Sequence, residues 1–226
     1  FKNLKKLDLL FADGYTVGID FLNEKNRLIE LHLNNMKISG GYNNANIESK
    51  IQNFKELEKL SLISMELNKL DFLNSLLKLK ELRIGGNKKI ENFNNIGQIT
   101  DLELLDISDC DVKNIDFFNT LISLKKLNIS GNKNINKLDS RGSLSKLEEL
   151  DIIDCNLKLI NFLQSLESIK KLNLSNNSSI QSYDPLNALT NLESLEIRSC
   201  GLNSNDTIKK LQKLIHVDLK DNPMDN

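Results

Sequence analysis

One template, L-x-x-L-x-L-x-x-N/C-x-L, can be laid ten times along the 226 residues, with first positions at Leu4, Leu28, Leu57, Leu79, Leu102, Leu124, Leu147, Ile169, Leu192 and Leu214. The intervals are 24 and 29 residues and then an unbroken alternation of 22 and 23. A chain that repeats on this scale builds no single closed core. Each copy is too short to bury its own apolar side, so copies must stack and share one. The expectation is a single domain over residues 1–226, irregular over 1–56 and regular over 57–226.

The true unit is a pair of copies, 45 residues long. Cys110, Cys155 and Cys200 take the ninth position of the shorter form, with Met65 at the head of their series; Asn87, Asn132, Asn177 and Asn222 take it in the longer form. Within a copy such as Leu102 to Val112, Leu102, Leu105 and Ile107 alternate with polar residues and read as one strand with an apolar inner side. Between strands, Val112, Ile115, Phe117, Phe118 and Leu121 have helix-like spacing, as do Leu157, Ile160, Phe162, Leu163 and Leu166. Asp71, Asp116, Asn161 and Asp206 precede the apolar clusters at a constant interval and are expected to cap them, while Asp184-Pro185 suits the start of a helical turn.

The run Leu102-Glu-Leu-Leu105-Asp-Ile107-Ser-Asp-Cys110-Asp-Val112, repeated over residues 4 to 224, resembles the leucine-rich repeat, and its length resembles the phosphatase-regulator and internalin type. That resemblance implies an α/β repeat solenoid, a horseshoe with a parallel concave sheet and short helices or helical turns on its convex side. It also implies a protein partner, bound on the sheet or its rims, in the manner of an adaptor or regulatory subunit. A structural component of a larger assembly and a secreted effector or adhesin are the alternatives.

Charge and composition narrow the partner. Thirty Lys and Arg against 31 Asp and Glu leave a net charge of −1, so no basic field recruits nucleic acid or an anionic membrane. No apolar run approaches the roughly 20 residues that span a bilayer, and Phe1-Lys2-Asn3-Leu4 is unlike a signal peptide. Three cysteines two copies apart fall about 10 Å from one another at strand spacing, too far for a disulfide or a shared zinc. Unpaired thiols favour an intracellular compartment, with secretion possible if a signal peptide precedes Phe1. His32 and His216 lie eight copies apart, and no phosphate loop, nucleophile elbow or metal-ligand cluster is present, so neither an enzyme nor a cofactor is expected. The Asn-x-Ser/Thr matches, such as Asn128 and Asn173, follow from the abundance of Asn.

Outward positions carry what remains. The second position of copies three to nine reads Glu58, Lys80, Glu103, Lys125, Glu148, Lys170, Glu193, and stacking turns this alternation into a ladder that disfavours slippage by one copy. The fifth position reads Asp106, Asn128, Asp151, Asn173, Glu196, Asp218, an acidic row beside Ser108, Ser130 and Ser175. Candidate partner-binding residues on this face are Arg83, Leu104, Asp106, Glu149, Asp151, Ile153, Glu196, Arg198 and His216. The Gly- and Asn-rich stretch Ser39–Asn44 is expected to leave the solenoid as a loop, with Tyr42 a further candidate, in a region where Ala12 and Met36 also depart from the ladder position. At the other end Asp221-Asn222-Pro223-Met224 resembles a closing repeat without a capping helix, which leaves the core end covered from elsewhere or open to association.

Overall fold

Each copy of the template becomes one short strand, and equivalent positions of successive copies lie side by side. The computed structural model describes residues 3–10, 16–17, 22, 27–35, 37–38, 44–135 and 144–224. Ala12, Met36, Tyr42 and the Ser39–Asn43 stretch lie outside them. The chain forms two compact units, Phe1–Cys110 and Asp111–Asn226.

In the first unit the strands are β1 (Lys6–Leu10), β2 (Thr16–Val17), β3 (Glu30–Asn34), β4 (Lys37–Ile38), β5 (Lys59–Ser61), β6 (Glu81–Arg83) and β7 (Leu104–Asp106). Strands β1, β3, β5, β6 and β7 pair in that order, all parallel, and β2 pairs with β4. The second unit pairs β8 (Lys126–Asn128), β9 (Glu149–Asp151), β10 (Lys171–Asn173), β11 (Ser194–Glu196) and β12 (His216–Asp218), again in order and parallel. The register matches template position to template position: Leu60 faces Leu82, and Leu150 faces Leu172. Inward residues such as Leu79, Leu82 and Ile84, or Leu192, Leu195 and Ile197, are fully buried, which removes each from water at a gain of about 1.5–3 kcal/mol per side chain.

In six coils the opposite side is built from 3₁₀ turns: Asp71–Ser75 and Asn94–Gln98 in the first unit, Asp116–Thr120, Asn161–Ser165, Asp184–Ala188 and Ile208–Lys210 in the second. The apolar residues explain why. Leu70, Leu73, Leu76 and Leu79 recur every third residue, and Leu73, Leu76 and Leu79 each donate an amide to the carbonyl three residues back. At three residues per turn such a series stays on one side, whereas an α-helix would rotate it away from the core. The only α-helix among the described residues is α1, Asn44–Ile51.

The expected caps are corrected. Asp71, Asp116 and Asn161 are the first residues of their turns, and none of these turns has a side-chain cap at the preceding residue. Where a side chain closes the entry, it comes from two residues earlier: Asn92 Oδ1 accepts the amide of Asn94, Asn114 Oδ1 that of Asp116, Ser182 Oγ that of Asp184 and Ser204 Oγ that of Asp206. These are local turns in which a short polar side chain accepts from the backbone two residues on.

Past β3 and each of β5 to β12 the chain bends inward through residues of positive φ, and in the shorter form these flank the ninth position: Ser64 and Glu66 around Met65, Asp109 and Asp111 around Cys110, Asp154 and Asn156 around Cys155, Ser199 and Gly201 around Cys200. Asn, Asp and Gly tolerate that backbone best. The bend drives backbone amides into the interior, where asparagine satisfies them. Asn87 Oδ1 accepts from Met65 and Leu67 at 2.9 and 3.0 Å while its Nδ2 donates to the carbonyls of Leu62 and Ile84. Asn177 does the same for Cys155, Leu157, Ile152 and Leu174.

The cysteines take the alternate rungs. Cys110, Cys155 and Cys200 donate S–H to the carbonyls of Ile84, Ile129 and Leu174 in the preceding coil, at 3.2, 3.3 and 3.0 Å. Burial pushes the Cys110 thiol up to about 12, which keeps it a donor at neutral pH. All three thiols are buried.

Asn177→Ala takes their side-chain partner from the amides of Cys155 and Leu157 and the carbonyl of Ile152, leaves the Leu174 carbonyl only the Cys200 thiol, and is expected to cost about 3 kcal/mol or more, while Cys155→Ala, losing weak thiol bonds to Ile129 and Ile153 and a little volume, costs about 1–2 kcal/mol. Denaturant unfolding of the two variants gives the order; a Cys155→Ala loss larger than that of Asn177→Ala would refute it.

On α1, the Oε1 atom of Glu48 is buried without a hydrogen bond, and burial, with the nearby charge of Asp71, pushes its carboxyl up against the pull of Lys69. A carboxyl raised on folding contributes stability below its unfolded pKa and loses it as pH rises through the folded value. The stability advantage of Glu48→Gln over the unmodified chain is therefore expected to grow with pH across the acid range; an advantage independent of pH would contradict this.

Candidate functional site

Strand side chains at the third, fifth and seventh template positions point away from the core, and in each unit they form a solvent-facing sheet surface. The third position is a charge ladder. In the first unit Lys6 lies 3.0 Å from Glu30, and Lys59 stands between Glu30 at 3.8 Å and Glu81 at 3.0 Å. In the second, Glu149 lies 3.1 Å from both Lys126 and Lys171. Partial burial raises the Glu149 carboxyl, but the two ammonium groups outweigh it and hold it below the usual carboxylate range. The same balance, through Lys59 and Arg83, lowers Glu81. Sequence reasoning placed the ladder at the second position, where Lys170 lies 2.9 Å from Glu148 and also feels the charge of Glu193. The third row was missed, although its sign alternates from Lys6 to Glu81 and from Lys126 to Lys171 in the same way.

The fifth position has a structural duty that its acidity conceals. Asp106 Oδ1 accepts the amide of Ser108 at 3.0 Å and its hydroxyl at 2.7 Å. Asn128, Asn173 and Asp218 likewise accept the amides of Ser130, Ser175 and Lys220. What these four share is a short acceptor that fastens the strand end, a role that Asp and Asn fill alike. Serine then carries the fastening onward, since Ser130 Oγ accepts the amide of Ile153 and Ser175 Oγ that of Arg198. Gly85 leaves room for this device, because a Cβ there would stand 2.7 Å from Ser108 Oγ and push that hydroxyl from its place.

The candidate residues fall into two groups. In the first unit Arg83 on β6 faces Asp106 on β7 in register, with Leu104 half-buried two residues before it, and Arg83 Nη1 is 2.9 Å from Glu81. In the second, Glu149 and exposed Asp151 share β9, and Ile153 follows half-buried on the same face. Glu196 on β11 accepts from Asn173 Nδ2 at 2.9 Å, and Arg198 reaches Asp218 at 2.7 Å and Glu196 at 3.7 Å. The Lys220 amide, together with Arg198, holds the Asp218 carboxyl below its usual range even though little of it is exposed. His216 lies exposed on β12. Tyr42 falls outside the described residues. Among those residues no group of His, Cys, Asp and Glu could hold a metal ion, and no helix is long and apolar enough to cross a membrane.

No family model matches the chain, and no curated protein does. Solved structures do. Internalin C2 of Listeria monocytogenes is similar with a TM-score of 0.69 at 23% identity over 79% of this chain and 76% of its own. A leucine-rich-repeat protein of Leptospira interrogans is similar with a TM-score of 0.73 at 23% identity over 100% of this chain, which spans 62% of the Leptospira protein's length. Parallel strands in template register, buried asparagines at the ninth positions 87, 132 and 177, and these two likenesses identify the fold of this chain as the leucine-rich-repeat solenoid.

Proposed function

We propose that the chain is a non-enzymatic protein-binding module, an adaptor or regulatory subunit, that captures its partner on the sheet face of the second unit. The observation that carries this reading is a solvent-facing surface whose groups are already held in place. The Lys126, Glu149 and Lys171 ladder, the fastened fifth position and the Arg198–Asp218 pair fix the polar groups before a partner arrives. Pre-fixed side chains lose little entropy on binding, which favours affinity. Ile153, ringed by Asp151, Ser130 and Ser175, is the apolar anchor, and Arg198 with Glu196 and His216 supplies the directional contacts. Because the charges of the ladder neutralise one another, the partner is recognised by shape and by hydrogen bonds more than by a long-range field.

A photo-crosslinking residue at position 153 is expected to capture the partner from the native extract, and one at Ile122, exposed on the turn side, is not. In the folded protein, Ile153→Glu with Arg198→Ala should weaken binding of that partner by roughly tenfold or more. Equal capture at 122, or unchanged affinity of the double variant, would sink the reading.

A further inference from the structure

On the sheet face of the second unit carboxylates are committed to the protein's own donors, and other donors are left over. Glu149 is held by Lys126 and Lys171, Glu196 by Asn173 and Arg198, and Asp218 by Arg198 and the Lys220 amide. The fifth position decides what becomes of its serine. In the first unit Asp106 accepts both the amide and the hydroxyl of Ser108. Asn128 and Asn173 accept only the amides of Ser130 and Ser175. The two serine oxygens accept the amides of Ile153 and Arg198, and among the described residues neither hydroxyl donates. Nor does the side-chain nitrogen of Asn128. Asn in place of Asp thus turns an acceptor site into a donor site. These donors recur with the paired coil. Asn128 with Ser130, Asn173 with Ser175, and Lys220 stand in every second coil, about 9.6 Å apart at strand spacing. Ser175, 5% exposed, lies low between half-buried Ile153 and exposed Arg198 of the intervening coils.

We propose that the partner presents an extended, proline-rich segment to this face, lying across the strands with every third carbonyl over a longer-form coil. The proposal rests on the reading of this face as the partner-binding surface. A polyproline II helix has three residues per turn, so carbonyls on one side recur every 9.3 Å or so, close to the spacing of the paired coil. All its carbonyls are free to accept, because the helix has no internal hydrogen bonds. Proline has no N–H, so such a segment buries no donor in need of an acceptor. Its rings pack against Ile153 and the aliphatic stem of Arg198. Being ordered before it binds, the helix loses little entropy on capture. A basic segment, which the acidity of the fifth row alone would invite, meets carboxylates such as Glu196 and Asp218 that already have their donors.

Fluorescence anisotropy with a labelled peptide of nine prolines, about 28 Å long in this helix, is expected to give saturable binding. A Gly-Ser peptide of the same length, flexible and rich in N–H donors, should bind roughly tenfold more weakly or worse. Backbone amide shifts in NMR spectra should centre on Ser130, Ile153 and Ser175. Asn128→Asp keeps an acceptor for the Ser130 amide and takes up the serine hydroxyl, as Asp106 does with Ser108. That variant should stay folded by circular dichroism and bind the proline peptide about tenfold more weakly. Asn203→Asp makes the same change of charge at an exposed residue off the strands and should bind like the unmodified chain. Equal binding of the two peptides, shifts confined to the turn side, unchanged affinity in Asn128→Asp or an equal loss in Asn203→Asp each overturns the proposal. If a crosslinker at position 153 captures a native partner while the proline peptide fails to bind, this inference falls and the binding face stands; if both fail, both readings fall.

Discussion

Everything in this fold depends on how backbone amides are satisfied inside the bend that follows each strand. To stack with its neighbours a coil must turn sharply inward, which carries peptide groups out of reach of water. An unpaired buried N–H or C=O costs about 1–3 kcal/mol, so a bend repeated in every coil would be ruinous without a partner for each group. The side-chain amide of asparagine is one of the few groups that both accepts twice and donates twice from a short stem. Asn87 and Asn177 use that full capacity, tying their own coil to the one before. A thiol offers one weak donor and a soft acceptor. It suffices in the alternate coils because the neighbouring asparagine already serves the cysteine's own amide, as Asn177 does for Cys155 and Asn222 for Cys200.

Once ninth positions alternate, other alternations can lock to them. The paired coil brings Lys and Glu opposite one another at the third position and, between Glu148 and Lys170, at the second. Each exposed pair is worth only about 0.2–1 kcal/mol, yet a slip by one coil would convert attraction into repulsion along the whole row. The charges therefore specify register more than they add stability.

Much of this was legible in the residues, because stacking converts a one-dimensional period into a three-dimensional neighbour list. The template positions of Leu150 and Leu172, the buried place of Cys155 and the sheet-facing place of Asp151 all follow from counting. Capping was misread because an Asp before an apolar cluster looks alike whether it lies ahead of a turn or is its first residue; Asp116 is the latter, and the closing oxygen belongs to Asn114. The fifth row was read by charge when its hydrogen-bond acceptors matter more, a distinction visible only once Ser108 is seen bonded to Asp106. For the candidate binding face, sequence supplied the membership of Ile153 and Arg198, but not which groups are already committed to one another, since that depends on rotamers across neighbouring coils.

If the paired coil is the structural unit, removing a whole pair should harm the chain less than removing half of one. Deleting residues 147–191, 45 residues, joins Asn132 to a Cys-bearing coil and keeps every alternation in phase, whereas deleting residues 147–168, 22 residues, sets Asn132 beside Asn177 and Lys126 beside Lys171. Denaturant unfolding of the two deletions is the most direct measurement. The asparagine and cysteine ladder predicts that the longer deletion retains a cooperative transition at higher denaturant than the shorter one. A single-coil deletion that is equally or more stable would contradict it.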